Sequence, residues 1–252
     1  MTQPISVYIA PTGPNPWKVV VILKELDIPY KVESVRFENV KSKPYTDINP
    51  NGRVPAIYDP NTDITLWESG AIIQYLVKQY DTNKLLHYDT LKEQAHTDQW
   101  LHFQMSGQGP YYGQATWFRY IHPEKIQSAI DRYANEVKRV LGVLEGVLAA
   151  KPADQQWLVG NKMTYADLSF VSWNERLVDC LGPSAAPESG FDGFPHVKAW
   201  HKTMAARPSW QAAVEQRAQL MDDQGLDAFG MPKDNNGASL SDFVKGVNEG
   251  TA

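Results

Sequence analysis

The sequence predicts two halves of different class, an α/β half over residues 1–80 and an all-helical half from about residue 90. Three observations carry this. Ile5, Val7 and Ile9 alternate with Ser6 and Tyr8, the period-two pattern of a half-buried strand. Strand-like and helix-like runs then interleave up to residue 80. Beyond residue 90 the strand signals stop, and apolar residues recur at helical intervals through residue 221.

After the first strand comes a Pro/Gly-rich turn, PTGPNP. WKVVVILKELDI then reads as a helix closing before Pro29, because the residue ahead of a proline is driven out of the α region. YKVESV is the second strand, and residues 37–50 read as an irregular polar connection. RVPAIYDP (53–60) and ITLWESGA (64–71) read as two strands joined by a turn, although Pro55 has no N–H to give a β-ladder. The second run stops at Glu68 and Ser69, just ahead of helical spacing at Ile73, Leu76, Val77 and Tyr80. The order β-α-β and then β-β-α suits a sheet packed against helices.

In the second half, Tyr133, Val137, Val140, Leu141, Leu144, Val147 and Leu148 mark an amphipathic helix over 133–148. Thr164-Tyr165-Ala166-Asp167 has the spacing of a capping box ahead of LSFVSW, with Asp where Glu or Gln is usual, so Asp167 is assigned to capping. FPHVKAWHKTMAARP and SWQAAVEQRAQL give two further helices. The predicted division is 1–80, a linker at 81–90, a helical domain at 91–221 and a polar, Gly-rich extension at 222–252.

Composition narrows the function. The 252 residues are 42% hydrophobic, enough for packed cores. The formal net charge is −5, with 24 basic and 29 acidic residues interspersed, so no basic stripe points to nucleic acid. The start, MTQPISVYIAP, has no charged n-region, and no long apolar run occurs, so neither export nor a membrane partner is expected. One cysteine, Cys180, excludes an internal disulfide framework and fits a cytoplasmic protein. The six histidines lack metal-ligand spacing, and no metal is expected. SGQGPYYG lies between helical segments, the wrong context for a dinucleotide fingerprint, and reads as a helix interruption lining a cleft.

PNPWKVVVILKEL, INPNGRVPAIYDP, LWESGAI, FRYIHPEKI, RYANEVKRVLGVLEGVLA, WLVGNKMTYADLSFVSWN and FPHVKAWHKTMAARP, in that order, resemble the soluble glutathione transferases. The nearest group contains the fungal enzymes related to the yeast nitrogen-catabolite prion regulator, with bacterial Nu-class relatives. The resemblance runs from about residue 5 to 215. It implies a thioredoxin-like first domain, an all-α second domain, a homodimer and glutathione as co-substrate.

The resemblance also implies the roles of particular residues. Pro55 is expected in a cis peptide, a minority state even for proline, which turns the Val54 backbone outward to pair with the cysteinyl part of glutathione. Glu68 and Ser69 match the positions that take the γ-glutamyl end, where free helix N–H groups suit a carboxylate. Arg53 and Lys41 are candidates for the glycine carboxylate. Lowering a thiol pKa by about two units corresponds to about 2.7 kcal/mol of preferential thiolate stabilisation, within reach of one or two aimed donors. Asn15 is the expected main donor and Thr12 the second, although Pro16 replaces the family's Gly and one residue is added ahead of Pro14-Asn15. Thr12-Gly13-Pro14-Asn15 stands where thioredoxin-like redox proteins carry C-x-x-C, so disulfide chemistry here would need glutathione, one molecule or two, as the thiol. Tyr8 is read as packing. Tyr111, Tyr112, Trp117, Phe118, Arg119 and Trp173 are expected to line an acceptor site between the halves.

The implied activity is addition of the glutathione thiolate to a hydrophobic electrophile, with implications for detoxification or secondary metabolism. The rivals are glutathione-dependent disulfide reduction, alkene cis/trans isomerisation and, from another class, a non-catalytic regulatory binding protein. The yeast regulator's Asn/Gln-rich amino-terminal extension is not expected, since the first strand begins at Ile5.

Overall fold

The computed structural model describes residues 2–152, 154–182, 189–227 and 230–234. They form two compact units, one from the chain up to Tyr80 together with that from Pro208 onward, the other from Asp81–Arg207.

The first unit is built on a four-stranded sheet ordered β2-β1-β3-β4, with β1 Ile5–Ile9, β2 Tyr30–Ser34, β3 Ala56–Asp59 and β4 Ile64–Trp67. Val7 faces Val32 of the parallel neighbour β2 and Ile57 of the antiparallel neighbour β3. Ser6 is buried beside Ile5, Val7 and Ile9, so this internal strand is covered on both faces rather than half-buried as its alternation predicts.

Helix α1, Asn15–Glu25, is buried continuously from Pro16 to Leu23. A helix buried all round needs neighbours on several sides. It has them in α3, Ser69–Tyr80, and in the last helix, Pro208–Asp223. The expected division counts that last helix with the helical domain, whereas by its contacts it groups with the sheet. Tyr30 Oη donates to Gln216 Oε1 at 2.6 Å, and Ser209 Oγ donates to Glu25 Oε1. Residues 37–50 are more ordered than expected, with a 3₁₀ turn at Phe37–Asn39 and a four-residue helix α2 at Tyr45–Ile48. A helix that short is below the reach of periodicity, and it is anchored by one buried side chain, Tyr45.

In the second unit α4, Leu91–Phe103, continues through a π-helical turn at Gln104–Gln108 into α5, Gly109–Thr116, and a second π turn at Trp117–Ile121. The chain therefore stays helical across SGQGPYYG, where the sequence predicts an interruption. A π turn relieves the hydrogen bond that Pro110 cannot make. Helix α6 spans Gln127–Ala149, starting earlier than predicted because its first turns are polar. It buries Ile130, Val137, Val140, Leu141, Leu144 and Leu148. Helices α7, Tyr165–Asn174, α8, Leu177–Leu181, and α9, Pro195–Ala205, complete the unit, so that in chain order the Pro208–Asp223 helix is α10. Among the described residues no helix is long and apolar enough to cross a membrane.

Candidate functional site

The β1–α1 turn is pinned from inside. Trp17 Nε1 donates to the Pro11 carbonyl at 3.0 Å and Gly13 N to Ala10 O at 3.4 Å, which brings Thr12 and the half-buried Asn15 to the N-terminus of α1. Residues of the predicted extension reach the same turn. Leu226 bridges Pro232, and Gly230, at φ 85°, lies so close that a Cβ there would stand 2.4 Å from Thr12 Cγ2. The extension beyond residue 234 lies outside the described residues.

The stretch from Asn49 to Ser69 supplies the other candidate residues of this unit. The Val54–Pro55 peptide is cis, and so is Lys43–Pro44. Just ahead of it, the Arg53 carbonyl accepts from Tyr45 Oη at 2.6 Å and from Asn49 Nδ2 at 2.5 Å. Two side chains thus fix the backbone on the approach to Val54. Asn49 Oδ1 accepts from Asn51 N at 3.0 Å, and Lys41 Nζ donates to Asn51 O at 3.3 Å. Gly52 closes the turn at φ 59°, where a Cβ would stand 2.8 Å from Val40 O. Lys41 and Arg53 are exposed beside this turn. Val54 packs its side chain on the cluster of Ala10, Val40, Tyr45 and Ala56.

Glu68 occupies the left-handed region at φ 71°, uncommon for a non-glycine residue, between the end of β4 and the start of α3. Its carbonyl accepts from Ile72 N at 2.9 Å, so it caps α3 with its backbone while its side chain stays exposed. Asn51 Nδ2 lies 3.5 Å from Glu68 Oε1, joining the two runs that flank Pro55. Ser69, the first residue of α3, is buried. Tyr8 behaves as a packing residue: its ring meets Tyr45 at 6.1 Å, and burial, together with Glu33, pushes its phenol up, the wrong direction for a group that must share a proton with a thiol.

Sequence reasoning missed Tyr45, Asn49, Asn51 and Lys18. The turn signal N-P-N-G marks two of them, and a single lysine inside the apolar run WKVVVIL marks the last. Lys18 is 1% exposed, and burial pushes its ammonium down to about 7, with Glu68 opposing.

The expected acceptor residues all lie in the second unit, and they differ in kind. Tyr112 is fully buried, edge-on to the buried Trp173, with its phenol raised well above the ordinary value by burial. Those two form the interior. Tyr111, Trp117, Phe118 and Arg119 are half-buried. Phe118 stacks on Tyr133 at 5.4 Å, Arg139 lies 5.9 Å from the Tyr111 ring, and Arg119 Nε donates to Cys180 O at 3.4 Å. Cys180 is inert: burial pushes its thiol up to about 12. Asp167 caps α7 as expected, accepting from Thr164 N at 2.8 Å, Thr164 Oγ1 at 2.9 Å, Leu158 N at 2.9 Å and Trp200 Nε1 at 3.0 Å. Among the described residues, no group of three or more His, Cys, Asp or Glu side chains is placed to hold a metal ion.

Comparison with known proteins bears on the family. Residues 7–84 match the family described as Glutathione S-transferase, N-terminal domain, and residues 110–208 that described as Glutathione S-transferase, C-terminal domain. Glutathione S-transferase-like protein tpcF of Aspergillus fumigatus is 50% identical over 219 residues, 84% of this chain and 95% of its own length. Protein URE2 of Kluyveromyces marxianus is 40% identical over 232 residues, 79% of this chain and 56% of its own. The crystal structure of glutathione transferase URE2P6 from Phanerochaete chrysosporium, in complex with oxidised glutathione, superposes with a TM-score of 0.79 at 45% identity, covering 86% of this chain and 97% of that one. The fold, the cis proline and these matches agree, and the chain belongs to the glutathione S-transferase family, in its fungal Ure2-related group.

Proposed function

We propose that the chain is a glutathione transferase that binds glutathione along the groove of its α/β unit, ionises the thiol and adds the thiolate to a hydrophobic electrophile. The Val54 backbone ahead of cis-Pro55 pairs with the cysteinyl residue. Ser69 and the amides at the start of α3 take the γ-glutamyl carboxylate, and Glu68 takes its ammonium. Arg53 and Lys41 meet the glycine carboxylate. Asn15, with Thr12, donates to the sulfur and favours the anion over the thiol. Tyr111, Trp117, Phe118 and Arg119 offer the electrophile an aromatic surface, with Tyr112 and Trp173 supporting it from beneath. The working form is a homodimer in the cytoplasm.

The observation that carries this reading is the doubly held Arg53 carbonyl ahead of the cis Val54–Pro55 peptide, linked through Asn51 to Glu68. A backbone edge presented without reorganisation suits a peptide ligand. Calorimetry with glutathione tests it. Ser69→Ala is expected to weaken binding, and Asn15→Ala to leave affinity nearly intact while raising the bound thiol's pKa in an ultraviolet titration. No heat at millimolar glutathione would sink the reading.

A second reading, glutathione-dependent disulfide reduction in the same groove, is favoured by one finding: the Phanerochaete chrysosporium relative was crystallised with oxidised glutathione. Product analysis separates the reactions. Transfer yields a stable adduct, reduction yields oxidised glutathione, and alkene isomerisation returns glutathione unconsumed. Binding with no turnover of any probe would indicate the regulatory role.

A further inference from the structure

Gly230 stands against the turn that carries Thr12. Its φ is 85°, and a Cβ there would lie 2.4 Å from Thr12 Cγ2, 3.0 Å from Thr12 Cβ and 3.9 Å from Thr12 Oγ1. The glycine therefore meets the methyl side of the threonine rather than its hydroxyl. A β-branched side chain has few χ1 wells, and a neighbour fixed at its methyl selects among them. Thr12 Oγ1 makes no hydrogen bond among the described residues, so no polar partner there sets where the hydroxyl points. Gly230 is itself held. Residues 225–227 and 230–233 pair as a short hairpin: Leu226 bridges Pro232, Asp227 N donates to Met231 O at 2.7 Å, Lys233 N to Gly225 O at 2.8 Å and Met231 N to Asp227 Oδ1 at 2.9 Å. Leu226 and Met231 are buried. At the base of the hairpin, Gln224 Nε2 donates to Ser34 Oγ at 2.8 Å and ties it to the end of β2.

We propose that Gly230 is a positioning residue for a thiol donor: the hairpin holds it against the Thr12 methyl, and that contact fixes the rotamer in which Thr12 Oγ1 is aimed at the glutathione sulfur. The inference rests on the glutathione reading above. Glycine is needed there on two counts. Its φ lies in the region that L side chains rarely adopt, and no side chain fits between the hairpin and Thr12. With alanine at 230, either the hairpin lifts or Thr12 turns. In both cases the hydroxyl loses its fixed aim, and the thiolate loses part of its stabilisation relative to the thiol.

The bound thiol's ultraviolet titration, and the pH profile of kcat/KM for a chlorinated nitroaromatic at saturating glutathione, test this in the full chain. Gly230→Ala is expected to raise the bound thiol's pKa by about 0.5, which leaves about threefold less thiolate below that pKa. Calorimetric affinity for S-methylglutathione, which has no thiol, should stay near wild type. The lost rate should return at high pH, whereas a merely loosened fold lowers the rate at every pH. Asp227→Ala removes the acceptor of Met231 N and loosens the hairpin without altering residue 230 or Thr12, so it should shift the thiol in the same sense by less. On a Thr12→Ala background there is no hydroxyl to misaim, and neither substitution should move the thiol further. An unchanged thiol pKa in Gly230→Ala, or the same shift with and without Thr12, overturns the inference while leaving glutathione binding intact. If Gly230→Ala no longer binds S-methylglutathione, Asp227→Ala decides by the same two criteria. No heat in the wild type with either glutathione or S-methylglutathione overturns the glutathione reading and this inference with it.

Discussion

The two regions that carry the candidate residues handle their buried amides in different ways. From Asn49 to Ser69, side chains are spent on holding the main chain: Tyr45 and Asn49 share the Arg53 carbonyl, and Asn51 reaches Glu68. In the helical unit, the buried amides Gln104, Gln108 and Asn174 are spent on one another. Gln104 Nε2 donates to Gln108 Oε1 at 3.0 Å and Gln108 Nε2 to Asn174 Oδ1 at 2.8 Å, while Asn174 Nδ2 meets no acceptor among the described residues. On the proposed function, the first arrangement presents a fixed backbone edge to a ligand of fixed shape. The second keeps its specificity inside and leaves half-buried aromatics outside, a surface suited to ligands of varied shape. On that reading, recognition of one ligand and tolerance of another would come from different uses of the same residue types.

The largest effect tests the first region at the sulfur. Asn15→Ala is expected to lower kcat/KM for an electrophile by about 10²-fold or more, the usual cost of removing one donor aimed at an anion. Stopped-flow and steady-state assays with a chlorinated nitroaromatic probe check it. An equal loss on Thr12→Ala with none on Asn15→Ala would reverse the order of the two donors. Next comes the interior of the second region. Asp167→Ala leaves Thr164 N, Thr164 Oγ1, Leu158 N and Trp200 Nε1 without their acceptor. Each unpaired buried donor costs about 1–3 kcal/mol, and a net loss of about 3 kcal/mol or more is expected in urea unfolding of the helical unit. Glutathione affinity should not follow it. If affinity falls in step with stability, the two regions do not act separately.

These tests weigh parts of the molecule that were unequally readable. The period-two run at Ile5–Ile9, the α1 run and the α6 spacing are long enough for burial to impose a pattern, and the strand and helix types follow from them. Burial on the second face of β1 does not, because it depends on what the rest of the chain packs over that face. The capping box at Thr164–Asp167 is local chemistry and is visible as such. Tyr45 is different: its hydroxyl works on a carbonyl eight residues away, through a helix too short to announce itself. Lys18 was open to reading, since one cation in a wholly apolar run is conspicuous, but only the packing of α1 on α3 and α10 shows that it is buried. Tyr111 and Tyr112 look alike in sequence. One turns half outward and the other inward because the helix that carries both has one buried face.

A smaller effect sharpens the claim that the groove is held by residues outside the ligand's reach. Tyr45→Phe removes one of two donors to the Arg53 carbonyl and leaves Asn49 in place. The expected loss is about 1 kcal/mol, or about fivefold in glutathione affinity by calorimetry, with the thiol pKa unchanged. Asn49→Ala should do at least as much, because it also releases Asn51 N. No change in either variant would mean that the Val54 edge holds its shape unaided.

The smallest effect addresses the outer aromatics. Phe118 lies between His122 and Tyr133, with ring centroids 5.1 and 5.4 Å away, on the turn at Trp117–Ile121. Its ring is only half-buried, so Phe118→Ala should cost less than a core truncation, about 1–2 kcal/mol in unfolding. If this surface holds the electrophile, the variant should raise KM for a bulky aromatic acceptor several-fold, change KM for a small one little, and leave kcat and glutathione affinity near wild type. Removal of contact made equally in the ground and transition states has that signature. A loss in kcat without a change in KM would instead place Phe118 among groups that act at the sulfur, and the contrast between a rigid peptide groove and a permissive aromatic face would then fail at this residue.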